Sequence, residues 1–274
     1  MEPKYKYADT LLKVDHVSLS YGDKVVLRDV NAEIRDIVRE DKTQGQVVGF
    51  LGPSGIGKTQ LFRIIAGLNH PTSGQVLVSS ALTPVEAGMV GVVAQSYPLF
   101  ENRTIFNNLI LAARQREKNH DGAREKVEGY LQRLNMEDCA QLYPAQISGG
   151  QRQRIAIAQQ LLCSEHFLLM DEPFSGLDVV MEAKVCDLIN EIACLDELNT
   201  IIVVTHDVTA AASVADHLWL MGRDRDERGE LIPGARIQET YDLIERDLCW
   251  HPELTNSGKF LEFVREVKDR FSTL

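Results

Sequence analysis

Nowhere in these 274 residues do about 18 apolar side chains follow one another without a break, the run a helix needs to cross a bilayer. The chain is therefore expected to span no membrane, and any transport it serves needs other chains to do the crossing. Its first residues, Met1-Glu2-Pro3-Lys4-Tyr5, have no apolar core of the signal-peptide kind. Cysteine is scarce. Cys139, Cys163, Cys186, Cys194 and Cys249 are odd in number and form no C-x-x-C pair, which argues against a disulfide framework and suits reduced, mostly buried thiols of a cytosolic protein. Cations are outnumbered, 29 Lys and Arg against 40 Asp and Glu, for a net charge of -11. That balance argues against a nucleic-acid binder, which usually carries a basic face. With 44% apolar and 25% charged residues the chain is an ordinary globular one, long enough for one large domain or two small ones.

The densest chemical signal is Gly52-Pro53-Ser54-Gly55-Ile56-Gly57-Lys58-Thr59, which fits G-x-x-x-x-G-K-[ST] and runs on into Gln60. Before it lies Val47-Val48-Gly49-Phe50-Leu51, a short apolar run of buried-strand type. After it Leu61, Ile64, Ile65 and Leu68 fall on one face of a helix. Glycines let the backbone turn where a Cβ would clash, and the opening helix offers unpaired N–H donors at the positive end of its dipole. Lys58 is placed to reach β- and γ-phosphates, and the Thr59 hydroxyl to complete a Mg²⁺ shell. The bland alternative is a Gly-rich turn ahead of a helix.

Upstream, Leu11 to Leu27 reads as two strands around Tyr21-Gly22-Asp23. Tyr21 is either a platform for an adenine ring or a turn-packing aromatic. Arg35 to Thr43 is charged and irregular and reads as a surface insertion. Gln75 to Val78 returns as a strand, and Met89 to Ala94 is another, ending at Gln95. There a glutamine either contacts Mg²⁺, orients a water, or caps the strand. From Thr104 to Leu142 the period becomes helical, with stripes at Ile105, Leu109, Ala112, Ala113 and at Val127, Leu131, Leu134, separated by a polar turn at Asn119 to Gly122. Phe100 and the Tyr97-Pro98-Leu99 run before that block are either partner-facing or core.

Ser148-Gly149-Gly150-Gln151 precedes an apolar-faced helix, with Ser148 at the N-cap position, and reads as a second phosphate-binding helix start or as a flexible cap. Phe167 to Asp171 is a buried strand ending in two carboxylates. Asp171 is placed to hold Mg²⁺ and Glu172 to act as a base on a water; both could instead be helix caps. Ile201 to Thr205 is a further buried strand, with His206 at its tip, and Leu218 to Met221 reads as the last core strand. Residues 223 to 274 read as a charged turn followed by mixed helix with a stripe at Phe260, Leu261, Phe263, Val264 and Val267.

Taken in order, Tyr21, the Walker A loop Gly52–Thr59, Gln95, Ser148–Gln151, the Walker B strand Phe167–Asp171 with Glu172, Ser175–Asp178 and His206 resemble the motif set of ATP-binding cassette (ABC) ATPases over roughly Leu11 to Met221. The departures are Ile147, where leucine is commoner, and a longer Arg35–Thr43 segment. The resemblance implies an α/β P-loop NTPase core with an N-terminal antiparallel β subdomain, spanning residues 1–222, and a helical subdomain inserted at about 96–160. Residues 223–274 would be an extension packed on or flanking that core. It also implies ATP and Mg²⁺ as ligands. Lys58, Gln95, Glu172 and His206 would be catalytic, and Thr59, Gln95 and Asp171 would hold the metal. Tyr21, Gly52 to Gln60, Ser148 to Gln151 and Asp178 would bind nucleotide.

In the family the Ser148-type signature of one copy meets ATP held by the other copy's loop. The expected partners are therefore a second copy, or a homologous ATPase subunit, in a head-to-tail dimer, together with integral membrane permease subunits and a solute-binding protein. No nucleic acid is expected. The implied role is energising a transporter from the cytoplasmic face of the membrane, small-solute import first, with export, lipid transfer or lipoprotein release as the alternative. A soluble ABC-type ATPase fits less well. Thr59 to Ser148 leaves no room for the long coiled coil of repair members, and one loop does not make the two cassettes of translation members.

Overall fold

A computed structural model describes residues 5–39, 44–94, 97–164, 166–249, 254–271 and 274. The first half of the chain runs β1 (Tyr5–Tyr21), β2 (Lys24–Arg39), β3 (Gln46–Leu51), α1 (Lys58–Ile65), β4 (Ser73–Val78), β5 (Thr83–Pro84), β6 (Gly91–Val93), α2 (Ile105–Ala113) and α3 (His120–Arg133). The second half runs α4 (Gly149–Cys163), β7 (Phe167–Asp171), α5 (Val179–Ala193), β8 (Thr200–Thr205), α6 (Val208–Val214), β9 (His217–Gly222), β10 (Arg236–Asp242) and α7 (Gly258–Phe271). Among the described residues no helix is long and apolar enough to cross a membrane.

Strand chemistry sorts these elements into two sheets. β1 and β2 alternate buried and exposed residues, as an antiparallel sheet with one wet face does, and they pair with β4 and β5 in the order β2-β1-β4-β5. β3 and β8 are buried at every position, which suits parallel strands covered on both faces. They lie inside the order β10-β9-β3-β8-β7-β6, where β10 alone is antiparallel to its neighbour. Because side chains alternate along a strand, Val48 and Phe50 of β3 face one way and Val47 the other. The first pair packs with α1 and the antiparallel sheet, the second with α5 and α6. Helices α2, α3 and α4 build a separate apolar cluster around Ile105, Leu109, Val127, Leu131 and Ile155.

Several expectations are corrected here. Arg35 to Arg39 is not an insertion but the continuation of β2, paired as Tyr7↔Ile37 and Tyr5↔Arg39. Ile34 and Ile37 supply its buried positions, an alternation hidden by the intervening charges. Residues 40–43 lie outside the described set. Leu68 lies beyond the end of α1 and is exposed. His120 to Gly122 are not a turn but the first turn of α3, because the Asn119 side chain accepts the Asp121 N–H and starts the helix there. β9 is not the last core strand, since β10 adds to it from a stretch expected to be helical. Leu261 is exposed and drops out of the α7 stripe, while Phe260, Phe263, Val264 and Val267 are buried. Of the cysteines only Cys139 and Cys249 are buried, and Cys194 is exposed.

Candidate phosphate-binding active site

Strand β3 delivers the loop and α1 carries it away. Gly55 (φ +78°) and Gly57 (φ +120°) sit in the left-handed region, which a side chain rarely tolerates. An added Cβ on Gly55 would meet nothing within 4 Å, so the loop is open on that side. Each of the other described α-helices begins under a capping side chain: Thr104, Asn119, Ser148, Asp178, Asp207 and Ser257. Helix α1 begins at Gly57 with no side-chain cap. Its leading N–H groups and dipole are thus available to an anion.

Lys58 is buried, and its ammonium donates to the carbonyl oxygens of Gly52 (2.7 Å) and Pro53 (3.2 Å). The Nζ lies 4.0 Å from Glu172 Oε1. Burial pulls the Lys58 pKa down, against Glu172 and Asp171, which pull it up. Asp171, at the end of β7, is pushed up by burial and by Glu172, with Lys58 opposing. A half-buried carboxylate under that pressure gains from a hard cation beside it. Thr59 is exposed at the start of α1. Among the described residues no three His, Cys, Asp or Glu side chains are placed to hold a metal ion by themselves, and the candidate donors here are the Asp171 carboxylate and the Thr59 hydroxyl. That set fits Mg²⁺, which keeps waters and takes one or two carboxylates plus substrate phosphates.

Glu172 has a left-handed backbone, φ +49°, unusual for a residue with a side chain. Its N–H donates to Val204 O at 2.7 Å. Its carboxylate receives the Thr205 hydroxyl at 3.0 Å and lies 2.9 and 3.0 Å from His206 Nδ1. Thr205 was not among the candidate residues; a hydroxyl closing a fully apolar strand next to His206 was the available signal. The structure therefore brings Gly52 to Thr59, Asp171, Glu172, Thr205 and His206 together at the carboxyl ends of β3, β7 and β8, where α/β sheets place ligands.

Other candidates stand apart or at the margin. The Tyr21 hydroxyl donates to Gln60 Oε1 at 3.0 Å and receives Asn69 Nδ2 at 3.2 Å, tethering the half-exposed ring beside α1. Gln95 lies outside the described residues. Ser148 accepts the Gln151 N–H at 3.3 Å, and Gln151 Oε1 receives the Ser148 N–H at 2.9 Å. This reciprocal box leaves Ser148, Gly149 and Gly150 exposed on the helical block. Among the described residues no hydrogen bond ties them to the loop of their own chain. Asp178 is exposed and caps α5, accepting from Val180 and Met181 N–H.

A family model described as ABC transporter matches residues 37–175. The sulfate/thiosulfate import ATP-binding protein CysA of Escherichia coli (strain K12) is 35% identical over 227 residues, covering 80% of this chain and 60% of that one. The spermidine/putrescine import ATP-binding protein PotA of Spiroplasma citri is 36% identical over 271 residues, covering 96% of this chain and 72% of that one. Measured against several sulfate/thiosulfate relatives, the chain spans 58% to 66% of their length. Among solved structures, cbiO1 from Clostridium perfringens, part of the ABC transporter complex cbiONQ, superposes with a TM-score of 0.70 at 24% identity, covering 97% of each chain. A dimeric ATP-binding cassette in a post-hydrolysis state, bound to ADP and Pi, gives a TM-score of 0.61 at 25% identity, covering 85% of this chain and 99% of that one.

Proposed function

The chain belongs to the ABC transporter family of ATP-binding cassettes, and on that premise we propose that it binds and hydrolyses ATP as the energising subunit of a small-solute importer. The observation that carries this reading is the meeting of the Lys58 ammonium and the Glu172 carboxylate, 4.0 Å apart, at an uncapped helix start. Lys58 and the loop amides bind the β- and γ-phosphates. Thr59 and Asp171 would hold Mg²⁺, which would supply positive charge against the phosphate oxygens. Glu172 accepts the proton of the attacking water, and His206 and Thr205 hold that carboxylate in place. Catalysis of this kind is positioning and electrostatics rather than covalent chemistry.

Ser148 and the exposed Gly149 and Gly150 amides complete the site of a second copy, so two chains close head to tail over two nucleotides. Membrane-spanning permease subunits are separate chains, and they hold this one at the cytoplasmic face of the membrane. The relatives' names pair import with an oxyanion in one case and a polyamine in the other. The common element is the ATP-driven step, and solute choice rests with the other chains.

Three outcomes test the reading. Proteoliposomes carrying the chain with the membrane chains that copurify with it should hydrolyse ATP and accumulate solute, with sulfate and spermidine tried first; ATP-driven movement only in the opposite direction would overturn import. Replacing Lys58 with Ala removes a charge-assisted contact and should weaken Mg-ATP binding about 10- to 100-fold in a fluorescence titration. Unchanged affinity would remove Lys58 from the phosphates. Mixing Lys58→Ala chains with Ser148→Arg chains should restore turnover above either alone, since each mixed dimer keeps one intact composite site, and a mixture no better than its parts would count against action in trans.

A further inference from the structure

The chain is acidic overall, yet one cleft reverses the sign. About 580 Å³ in volume, it opens where α3, the end of α4, the start of β7 and the turn after β4 meet. Arg116, Lys126, Arg133 and His166 line it, facing a single lining carboxylate, Asp196. Around them stand the hydroxyls of Ser79, Ser80 and Ser164 and the apolar walls of Tyr130, Leu161 and Phe167. Ser164 is 5% exposed, and its hydroxyl has no hydrogen-bond partner among the described residues. A buried hydroxyl without a partner is costly, and this one belongs to a residue that lines the cleft.

Lys126 and Arg133 keep N–H donors to spare. Lys126 meets Glu117 at 3.3 Å with more than half of its side chain exposed. Arg133 donates to Leu195 O at a long 3.3 Å, and His166 Nδ1 stands 4.0 Å from Asp196. The other large cavities differ. In that of about 530 Å³, Glu33, Asp242 and Glu245 balance Arg35 and Arg246, and the Tyr7 hydroxyl is already bonded to His217 and Asp242. That of about 610 Å³, against α5 and α6, carries Glu182 and Asp187.

We propose that this cleft binds a small organic phosphomonoester, its phosphoryl oxygens on Lys126, Arg133 and His166, its apolar part against Tyr130 and Leu161. Several donors lining one cleft suit a dianion with three acceptor oxygens better than a carboxylate. The volume matches small-molecule sites, which run roughly 300–1,000 Å³, and an inorganic ion would leave the apolar walls bare. The carbonyl end of α4 repels an anion with about half a charge, and the charges on Arg133 and Lys126 outweigh it. The site is separate from the Lys58 loop: Ser164 closes the helix that Ser148 opens, and His166 precedes the strand that ends at Asp171. Its ligand is an effector held behind two elements of the hydrolytic site, not the nucleotide consumed.

The test is calorimetric titration of the 274-residue chain with phenyl phosphate while saturating Mg-ADP fills the Lys58 loop. The native chain should bind phenyl phosphate, and inorganic phosphate at least about tenfold more weakly, because the apolar walls contribute only to the first. Arg133→Ala and Lys126→Ala should each lower phenyl phosphate affinity about tenfold or more. No binding by the native chain up to roughly 10 mM, or equal affinity in the Arg133→Ala and Lys126→Ala variants, would overturn the proposal and leave the cleft to a protein segment.

Discussion

Replacing Glu172 with Gln should cut ATP turnover by about 10²- to 10⁴-fold, the usual contribution of a positioned general base, while ATP binding stays within a few-fold of native. The two side chains share a shape. A glutamine in this place still accepts from Thr205, which donates to the carboxylate at 3.0 Å, and the backbone bond from residue 172 to Val204 O is untouched. What disappears is the negative charge 4.0 Å from Lys58 Nζ and the basic oxygen proposed to take a proton from water. Lys58 keeps its loop carbonyls, so the phosphate contacts survive, and a triphosphate loses a repelling neighbour. The variant should therefore accumulate as an ATP-bound dimer, read by size-exclusion chromatography beside steady-state phosphate release. Turnover within about tenfold of native would take the base role away from Glu172.

Removing the carboxylate of Asp216 by an Ala substitution should cost about 3–5 kcal/mol of stability, the range for breaking one side of a buried ion pair. Arg39 and Asp216 are 3% and 4% exposed and meet at 3.1 Å. The other oxygen of Asp216 accepts the Val47 N–H at 2.8 Å, and Arg39 also donates to Gln44 O and Gly45 O. One group thus ties the end of β2 to the start of β3, the strand that feeds the loop, and to the start of β9. Alanine leaves a guanidinium and a backbone N–H buried with fewer acceptors. For a chain of this size the loss corresponds to a fall of about 10 °C in melting temperature, measurable by circular dichroism. The double change Arg39→Met with Asp216→Leu should cost far less, since an apolar pair leaves no orphaned charge. A fall of under about 3 °C for Asp216→Ala would mean the pair contributes little.

Arg39 also marks where local reading stops. Its neighbours, Arg35 to Thr43, look like a wet insertion because charge interrupts the apolar alternation, and only pairing with β1 reveals Ile37 and Arg39 as inward positions. β10 was missed for a related reason. Its residues, Arg236 to Asp242, are mostly polar, and an edge strand acquires its identity from the neighbour that pairs with it. The cleft at Ser164 gathers residues from five separate segments, none of which forms a motif in the chain.

The phosphate loop needed none of this. Strand, glycines, Lys58 and helix lie within one continuous stretch, so spacing alone places the ammonium and the amides at one point. Asp171, Glu172 and His206 were readable for the same reason, each following a buried apolar run that must end at the sheet's carboxyl edge. Chemistry that depends on short range is written in residue order, because φ, ψ and side-chain period are local quantities. Burial of a charge, pairing of an edge and the meeting of distant cations depend on which surfaces pack together, and that choice is made by the whole chain at once.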